Sequence, residues 1–177
     1  MVEATVRSVH VSLITQHRVV VLKETQGDRY LPIWISPDVA DAIALEMQGV
    51  RMARPFTHDL LRSVIEALGA QVSRVLVNDI RDNTFYARVI FDLAGRYVEV
   101  DSRPSDAIAL AVRVKCPLYI EETVLDQAAL VLEELPQVEG EQVENLRVFR
   151  DFLSHLAEEE QPEGPGEGEP GPPEEVL

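Results

Sequence analysis

A pentapeptide that occurs twice constrains this chain more than any other feature. Asp41-Ala-Ile-Ala-Leu45 returns as Asp106-Ala-Ile-Ala-Leu110, 65 residues later. The flanking patterns return with it. Val19–Leu22 and Tyr30–Ile35 bracket a turn-like Thr25-Gln26-Gly27-Asp28, and Thr84–Leu93 and Arg96–Val100 bracket Ala94-Gly95. Apolar runs on either side of a short Gly-containing link are the pattern of a β-hairpin. Each copy therefore reads as a β-hairpin feeding a helix, in units at about 17–50 and 82–115. The shared hairpin and Ser/Pro lead-in argue for internal duplication over chance.

The spacing of apolar residues fills in the rest. Phe85, Ala87, Val89, Phe91 and Leu93 alternate with Tyr86, Arg88 and Asp92, with Ile90 the exception, as an antiparallel strand with one solvated face requires. Leu31, Ile33 and Ile35 point inward, and Pro32 suits a position near a sheet edge. Val72–Val77, Val2–Leu13 and Leu118–Ile120 supply further strands. Ser36-Pro37 opens a helix with the stripe Val39, Ile43, Met47 and Val50. Thr57 caps a second helix that places Leu60, Leu61, Val64, Ile65 and Leu68 inside, with Phe56 and Leu61 as a staple and Gly69 as the stop. Val143, Leu146, Phe149, Leu153 and Leu156 line a C-terminal helix over about 142–156. The fold class is α+β: an antiparallel or mixed sheet with packed helices.

Charge bears on the partner. The 177 residues carry a formal −15, which argues at first against a polyanion. Yet residues 1–120 hold 14 acids and 14 bases. The excess lies in residues 121–177, where 17 acids face only Arg147 and Arg150. Ala157–Leu177 contains eight Glu, five Pro, four Gly and no cation, so residues 158–177 read as a disordered acidic tail. The sole cysteine, Cys116, rules out an internal disulfide, and no apolar run reaches the ~20 residues that span a bilayer. With no basic-then-apolar start, the expected compartment is the cytoplasm.

Two constellations can carry chemistry. At an offset of 65, Trp34 becomes Glu99, Ser36 becomes Asp101 and Asp38 becomes Arg103, while Asp41 and Asp106 match. Glu99, Asp101, Arg103 and Asp106 thus gather at one strand-to-helix junction. There a helix N-terminus and a forked guanidinium can hold a phosphate. Carboxylates two apart on a strand can hold Mg²⁺ or Mn²⁺ to activate water. The competing view is that Ser102, Ser105 and Asp106 cap the helix and Arg103 pairs with a neighbouring acid. The second constellation is Arg54-Pro-Phe-Thr-His-Asp59, where His58 suits proton transfer and Arg54 a phosphate. Here too capping by Thr57 and a favourable helix-dipole contact by Asp59 compete. His10, His17 and His155 have no acidic or nucleophilic setting, and Cys116 reads as a small buried hydrophobe. No Gly-rich phosphate loop, GxSxG or HExxH occurs.

Arg54-Pro-Phe-Thr-His-Asp-Leu-Leu61 and Asp101-Ser-Arg-Pro-Ser-Asp-Ala-Ile-Ala-Leu-Ala111 resemble the motifs of the bifunctional nuclease domain family. Val9–Glu24, Tyr30-Leu-Pro-Ile-Trp-Ile35 and Arg147-Val-Phe-Arg-Asp-Phe-Leu153 are similar as well, so the resemblance spans residues 1–157. It implies an α+β fold, DNase and RNase activity, a nucleic-acid substrate and a homodimer. The chain looks like a bacterial member, lacking the UVR-type segment that follows the domain in plants. The resulting expectation is a cytoplasmic, metal-assisted nuclease. His58, Asp59, Asp101 and Asp106 are its candidate catalytic groups and Arg54, Arg103 and Ser105 its phosphate contacts. Glu99, Asp101 and Asp106 are the candidate ligands for Mg²⁺ or Mn²⁺. The rival is a non-catalytic homodimer that binds a protein or small anion, with the repeated helices as its interface. Cleavage of DNA or RNA with Mg²⁺ or Mn²⁺ and with chelator separates the two, and a shared site requires that the segments 54–61 and 99–106 meet.

Overall fold

The alternating apolar segments form two antiparallel meanders, each closed by a helix. A computed structural model describes residues 1–11 and 17–131. The first meander is β1 (Val2–Val11), β2 (Arg18–Glu24) and β3 (Arg29–Ile35), followed by α1 (Pro37–Met47). After α2 (Thr57–Ala67) come β4 (Gln71–Arg81), β5 (Thr84–Leu93) and β6 (Arg96–Ser102), followed by α3 (Pro104–Val114). β7 (Leu118–Ile120), α4 (Glu122–Ala128) and β8 (Leu130–Val131) complete the described part. It falls within the compact unit Met1–Leu135. The expected helix at 142–156, its apolar stripe, His155 and the tail at 158–177 lie outside the described residues.

The sheet has eight strands in the order β6-β5-β4-β7-β1-β2-β3-β8. β7 stands between the meanders, antiparallel to β1 and parallel to β4, so the sheet is mixed. Pro32 faces β2, while β8 pairs only with Arg29 and Tyr30. Beyond those two residues β3 behaves as an edge, which accommodates a proline that cannot donate to a ladder. Positive φ at Ala94 and Gly95 makes the expected tight β5–β6 link. A second such link, Asp82-Asn83, joins β4 to β5 and carries β4 four residues past the expected end at Val77.

α3 is the centre of the core. Ala107, Ile108, Ala109, Leu110 and Ala111 are all buried, so the helix is enclosed around its circumference. It contacts α1, α2, β4 and β5, over a sheet layer built from Val20, Leu22, Leu31, Ile33, Val75 and Val77. An enclosed α3 cannot present a free surface, so the repeated helices do not supply a matched interface.

One expectation is left unconfirmed and three are corrected. Pro37 and Pro104 both open their helices, and they lie 67 residues apart rather than 65. Asp41 is thus the fifth helical residue of α1, and Asp106 the third of α3. The order of elements recurs, but a residue-for-residue duplication is not established. In α2 the N-cap is Phe56, not Thr57, and its N–H donates to Asp59 Oδ2 at 2.8 Å. Of the apolar residues expected inside, only Ile65 is buried; Leu60, Leu61, Val64 and Leu68 are exposed, as are Met47 and Val50 beyond the inner face of α1. The reason for α2 is that His58 and Asp59 turn its other side toward α3. The far face of the sheet is also not simply solvated, since Val19, Val21, Tyr30 and Ile90 are buried.

Candidate functional site

Adjacent residues on a helix point about 100° apart, and the first turn of α2 uses that divergence to reach α3 at two places. His58 turns toward the start of α3, where its Nε2 lies 3.2 Å from Asp106 Oδ1. Asp59 turns toward the end of α3, where its Oδ1 accepts from Arg113 Nε at 2.7 Å. The segments 54–61 and 99–106 therefore meet, through His58 and Asp106.

Asp106 also accepts from Arg103 Nε at 2.7 Å, through Oδ2. Burial pushes the Asp106 carboxyl up, but the hydrogen bonds from Arg103 and His58 outweigh it and hold it below the usual carboxylate range. An ionised carboxylate only accepts, so the bonded His58 carries a proton on Nε2. The exposure rises in steps: the side chain of His58 is 10% accessible, that of Asp106 29% and that of Arg103 71%. A ligand arriving from solvent meets Arg103 first and Asp106 next, with His58 behind. At the N-terminus of α1, Asp38 accepts a hydrogen bond from Ser36, which with the nearby Arg103 charge keeps its carboxyl low. Arg103 thus sits between Asp38 and Asp106, which suits a guanidinium fixed in place for an anion.

The other candidates fall elsewhere. Asp59 uses one oxygen on Phe56 N–H and the other on Arg113. Burial pushes its carboxyl up, and these two contacts bring it below its ordinary value. It is a structural lock and not a free acid or base. Arg113 was not singled out by sequence. Its side chain is 1% exposed, and Nη1 and Nη2 donate to the carbonyls of Ala109 and Ala42 at 2.8 and 3.1 Å. One guanidinium thereby ties α1, α2 and α3 together. The available signal was a lone cation inside the apolar run Ala107–Val114, seven residues from Asp106 and so on the same helix face.

Glu99 and Asp101 point the other way. Register places Asp101 opposite Arg88 and Glu99 opposite Ile90. The intervening pairs, Ala87 with Ser102 and Val89 with Val100, belong to the core side. Glu99 accepts from Arg88 at 2.7 Å on that outer face. The metal set Glu99, Asp101 and Asp106 does not converge, and among the described residues no group of three or more His, Cys, Asp or Glu could hold an ion. Arg54 is exposed, whereas Ser105 is buried beside Arg103. Burial pushes the Cys116 thiol up to about 11, the opposite of what a reactive thiolate needs.

A mixed sheet with helices packed against it makes the chain an α+β domain, in which two distant motifs meet at a His–Asp–Arg junction. The bifunctional nuclease domain model matches residues 20–133, and the chain belongs to this family. It is 44% identical over 160 residues to an uncharacterized protein of Mycobacterium tuberculosis, covering 87% of this chain and 96% of that one. Bifunctional nuclease 1 of Oryza sativa subsp. japonica is 27% identical over 112 residues, 61% of this chain and 34% of the rice protein. Bifunctional nuclease 1 of Arabidopsis thaliana is 28% identical over 117 residues, 64% of this chain and 36% of its own length. This chain thus spans about a third of the plant proteins it matches. No helix among the described residues is long and apolar enough to cross a membrane.

Proposed function

We propose that this protein hydrolyses phosphodiester bonds of DNA or RNA in the cytoplasm, at the junction of Arg103, Asp106 and His58. The observation that carries the proposal is the 3.2 Å contact by which His58 joins one motif to Asp106 of the other, beside an exposed arginine. The printed names of the plant relatives, bifunctional nucleases, point to the same chemistry. Arg103 binds the scissile phosphate through the edge of its fork not used by Asp106. Asp106 accepts a hydrogen bond from the attacking water and takes its proton as the new O–P bond forms. The opposite P–O bond breaks, and the leaving oxygen collects a proton from solvent. His58 is a positioning residue that fixes the Asp106 rotamer from behind. A carboxylate held ionised by two cationic or N–H partners is a weak base, so the rate enhancement at this step is modest. No step is routed through a metal ion, because the described carboxylates do not gather around one.

The test is cleavage of single-stranded and duplex DNA and RNA by the purified chain, with Mg²⁺, with Mn²⁺ and with chelator. Arg103→Ala should raise KM about tenfold or more, since a charge-assisted contact to phosphate is worth roughly 1.5–3 kcal/mol. Cleavage that does not follow the protein through two columns, or an unchanged KM in Arg103→Ala, overturns the reading.

One observation favours the second reading, a homodimeric binding module. Leu60, Leu61, Val64 and Leu68 leave an apolar stripe of α2 in water, with Leu68 74% exposed. Burying such side chains is worth roughly 1.5–3 kcal/mol each. The stripe is self-complementary: an antiparallel second copy on a two-fold axis at Val64 sets Leu60 against Leu68. Sedimentation should show a dimer for the wild type and a monomer for Leu61→Glu/Leu68→Glu. A monomeric wild type at all concentrations removes this interface.

A further inference from the structure

The sheet ends in two unlike edges. Toward one end β3 is guarded: β8 pairs with Arg29 and Tyr30, and Pro32 removes a donor from the stretch beyond. At the other end β6 pairs with β5 on one side and meets no strand on its other side. It contains no proline, and its ladder runs without a bulge from Leu93–Arg96 to Ala87–Ser102. The turn before it decides which backbone groups stay unused. Ala94 and Gly95, both at positive φ, form a two-residue link, so Arg96 N–H donates to the Leu93 carbonyl and this pair opens the ladder. Alternation then commits the groups of Val98, Val100 and Ser102 to β5 and turns those of Tyr97, Glu99 and Asp101 toward the open edge.

The side chains of the edge are sorted by face. Tyr97, Glu99 and Asp101 stand on the outer face, with Tyr97 63% exposed. Val98 and Val100 stand on the helix side, where α3 lies over β4 and β5 and Val100 is 47% exposed. Arg88 donates to Glu99 at 2.7 Å, but Asp101, opposite Arg88 in register, has no ion pair among the described residues. Asp92 lies opposite Tyr97, so the outer faces of β5 and β6 carry three carboxylates against one guanidinium. We propose that β6 is the docking edge for an extended basic segment of another protein. The segment adds to the sheet as a strand, with Lys or Arg beside Glu99 and Asp101 and apolar residues beside Val98 and Val100. A second copy fits less well, because β6 centred antiparallel on itself sets Glu99 against Glu99. The inference does not depend on the hydrolytic reading.

The probe is a labelled peptide of alternating Lys and Val, seven residues long like β6, titrated into the full chain and read by anisotropy. Saturable binding is expected, about fivefold or more tighter than for the same peptide with Glu in place of Lys. Methylating the backbone nitrogens of its Lys residues should weaken it by about fivefold or more, since those are the donors that meet the open edge. Tyr97→Pro removes one outward N–H and leaves the β5 ladder intact, a place where an edge proline is tolerated. It should bind about fivefold more weakly than Tyr97→Ala, which keeps that N–H. Circular dichroism establishes that both variants fold, and the methylated peptide puts the same question to the unaltered chain. Absence of saturable binding overturns the proposal. Equal binding of the Lys and Glu peptides, of the plain and methylated peptides, or by the two Tyr97 variants also overturns it. Dimerisation of the free chain that Tyr97→Pro abolishes would give the edge to a second copy instead.

Discussion

Arg113→Met is expected to lower stability at neutral pH by about 3 kcal/mol, the low end of the ~3–5 kcal/mol seen when one partner of a buried ion pair is removed. The low end applies because Asp59 retains 23% side-chain exposure and can recover some solvation. The substitution leaves the Asp59 carboxylate beside α3 without its guanidinium, and two backbone carbonyls without their donor. At roughly 2–4 °C per kcal/mol for a chain of this length, the melting temperature should fall by about 10 °C. The pH dependence follows from the sign of the Asp59 shift. Its folded pKa is depressed, so its stabilisation is present above the ordinary carboxylate range and is lost as pH falls through the folded value. The gap between wild type and variant is therefore widest at neutral pH and narrows in acid, once the protonated carboxyl no longer needs a cation. A thermal-melt series against pH checks this; a gap that widens in acid would place the stabilisation elsewhere.

Asp106→Asn is expected to lower kcat of nucleic-acid cleavage about 10²-fold, the low end for a positioned proton acceptor, because its two hydrogen-bond donors weaken it as a base. The amide keeps the shape of the side chain while removing its charge and its capacity to take a proton. Asp101→Asn is the control with the opposite expectation: it lies on the outer sheet face across from Arg88 and should cleave at nearly the wild-type rate. Circular dichroism establishes that both variants fold. An active Asp106→Asn variant moves the reaction away from this junction, and a dead Asp101→Asn variant moves it to the other face of the sheet.

The comparison of these two aspartates shows what a sequence can and cannot disclose. Both stand in one motif, five residues apart, and as text they are equivalent acids at a strand-to-helix junction. The strand alternation that sends Asp101 outward was legible from Phe85 to Leu93, but not how far the turn into α3 rotates Asp106 the other way. The hairpin at Ala94-Gly95 and the start of α1 at Ser36-Pro37 were legible because each depends on local backbone restrictions. The helix α2 was located correctly, but of the residues expected on its inner face only Ile65 is buried. Apolar periodicity identifies a face that avoids water without saying whether the cover is the same chain. The contact of His58 with Asp106 spans 48 residues and belongs to tertiary packing alone. Arg113 was not singled out because its three acceptors, Asp59 and the carbonyls of Ala109 and Ala42, are brought to it in the interior by packing of α1, α2 and α3.

The three-residue strand β7 has a kinetic consequence. Val2 pairs with Ile120, and Val75 with Leu118, so the seam between the two meanders is completed by a segment far along the chain. During synthesis the N-terminal strand and the central hairpins are all made before the piece that joins them leaves the ribosome. Until then β1 and β4 each keep an open edge with unpaired N–H and C=O groups. Closing that seam spans nearly the whole described chain, and contacts of such separation place folding toward the slow end for a domain of this size. The protein is thus most open to mispairing late in its synthesis, when two finished meanders wait for three residues.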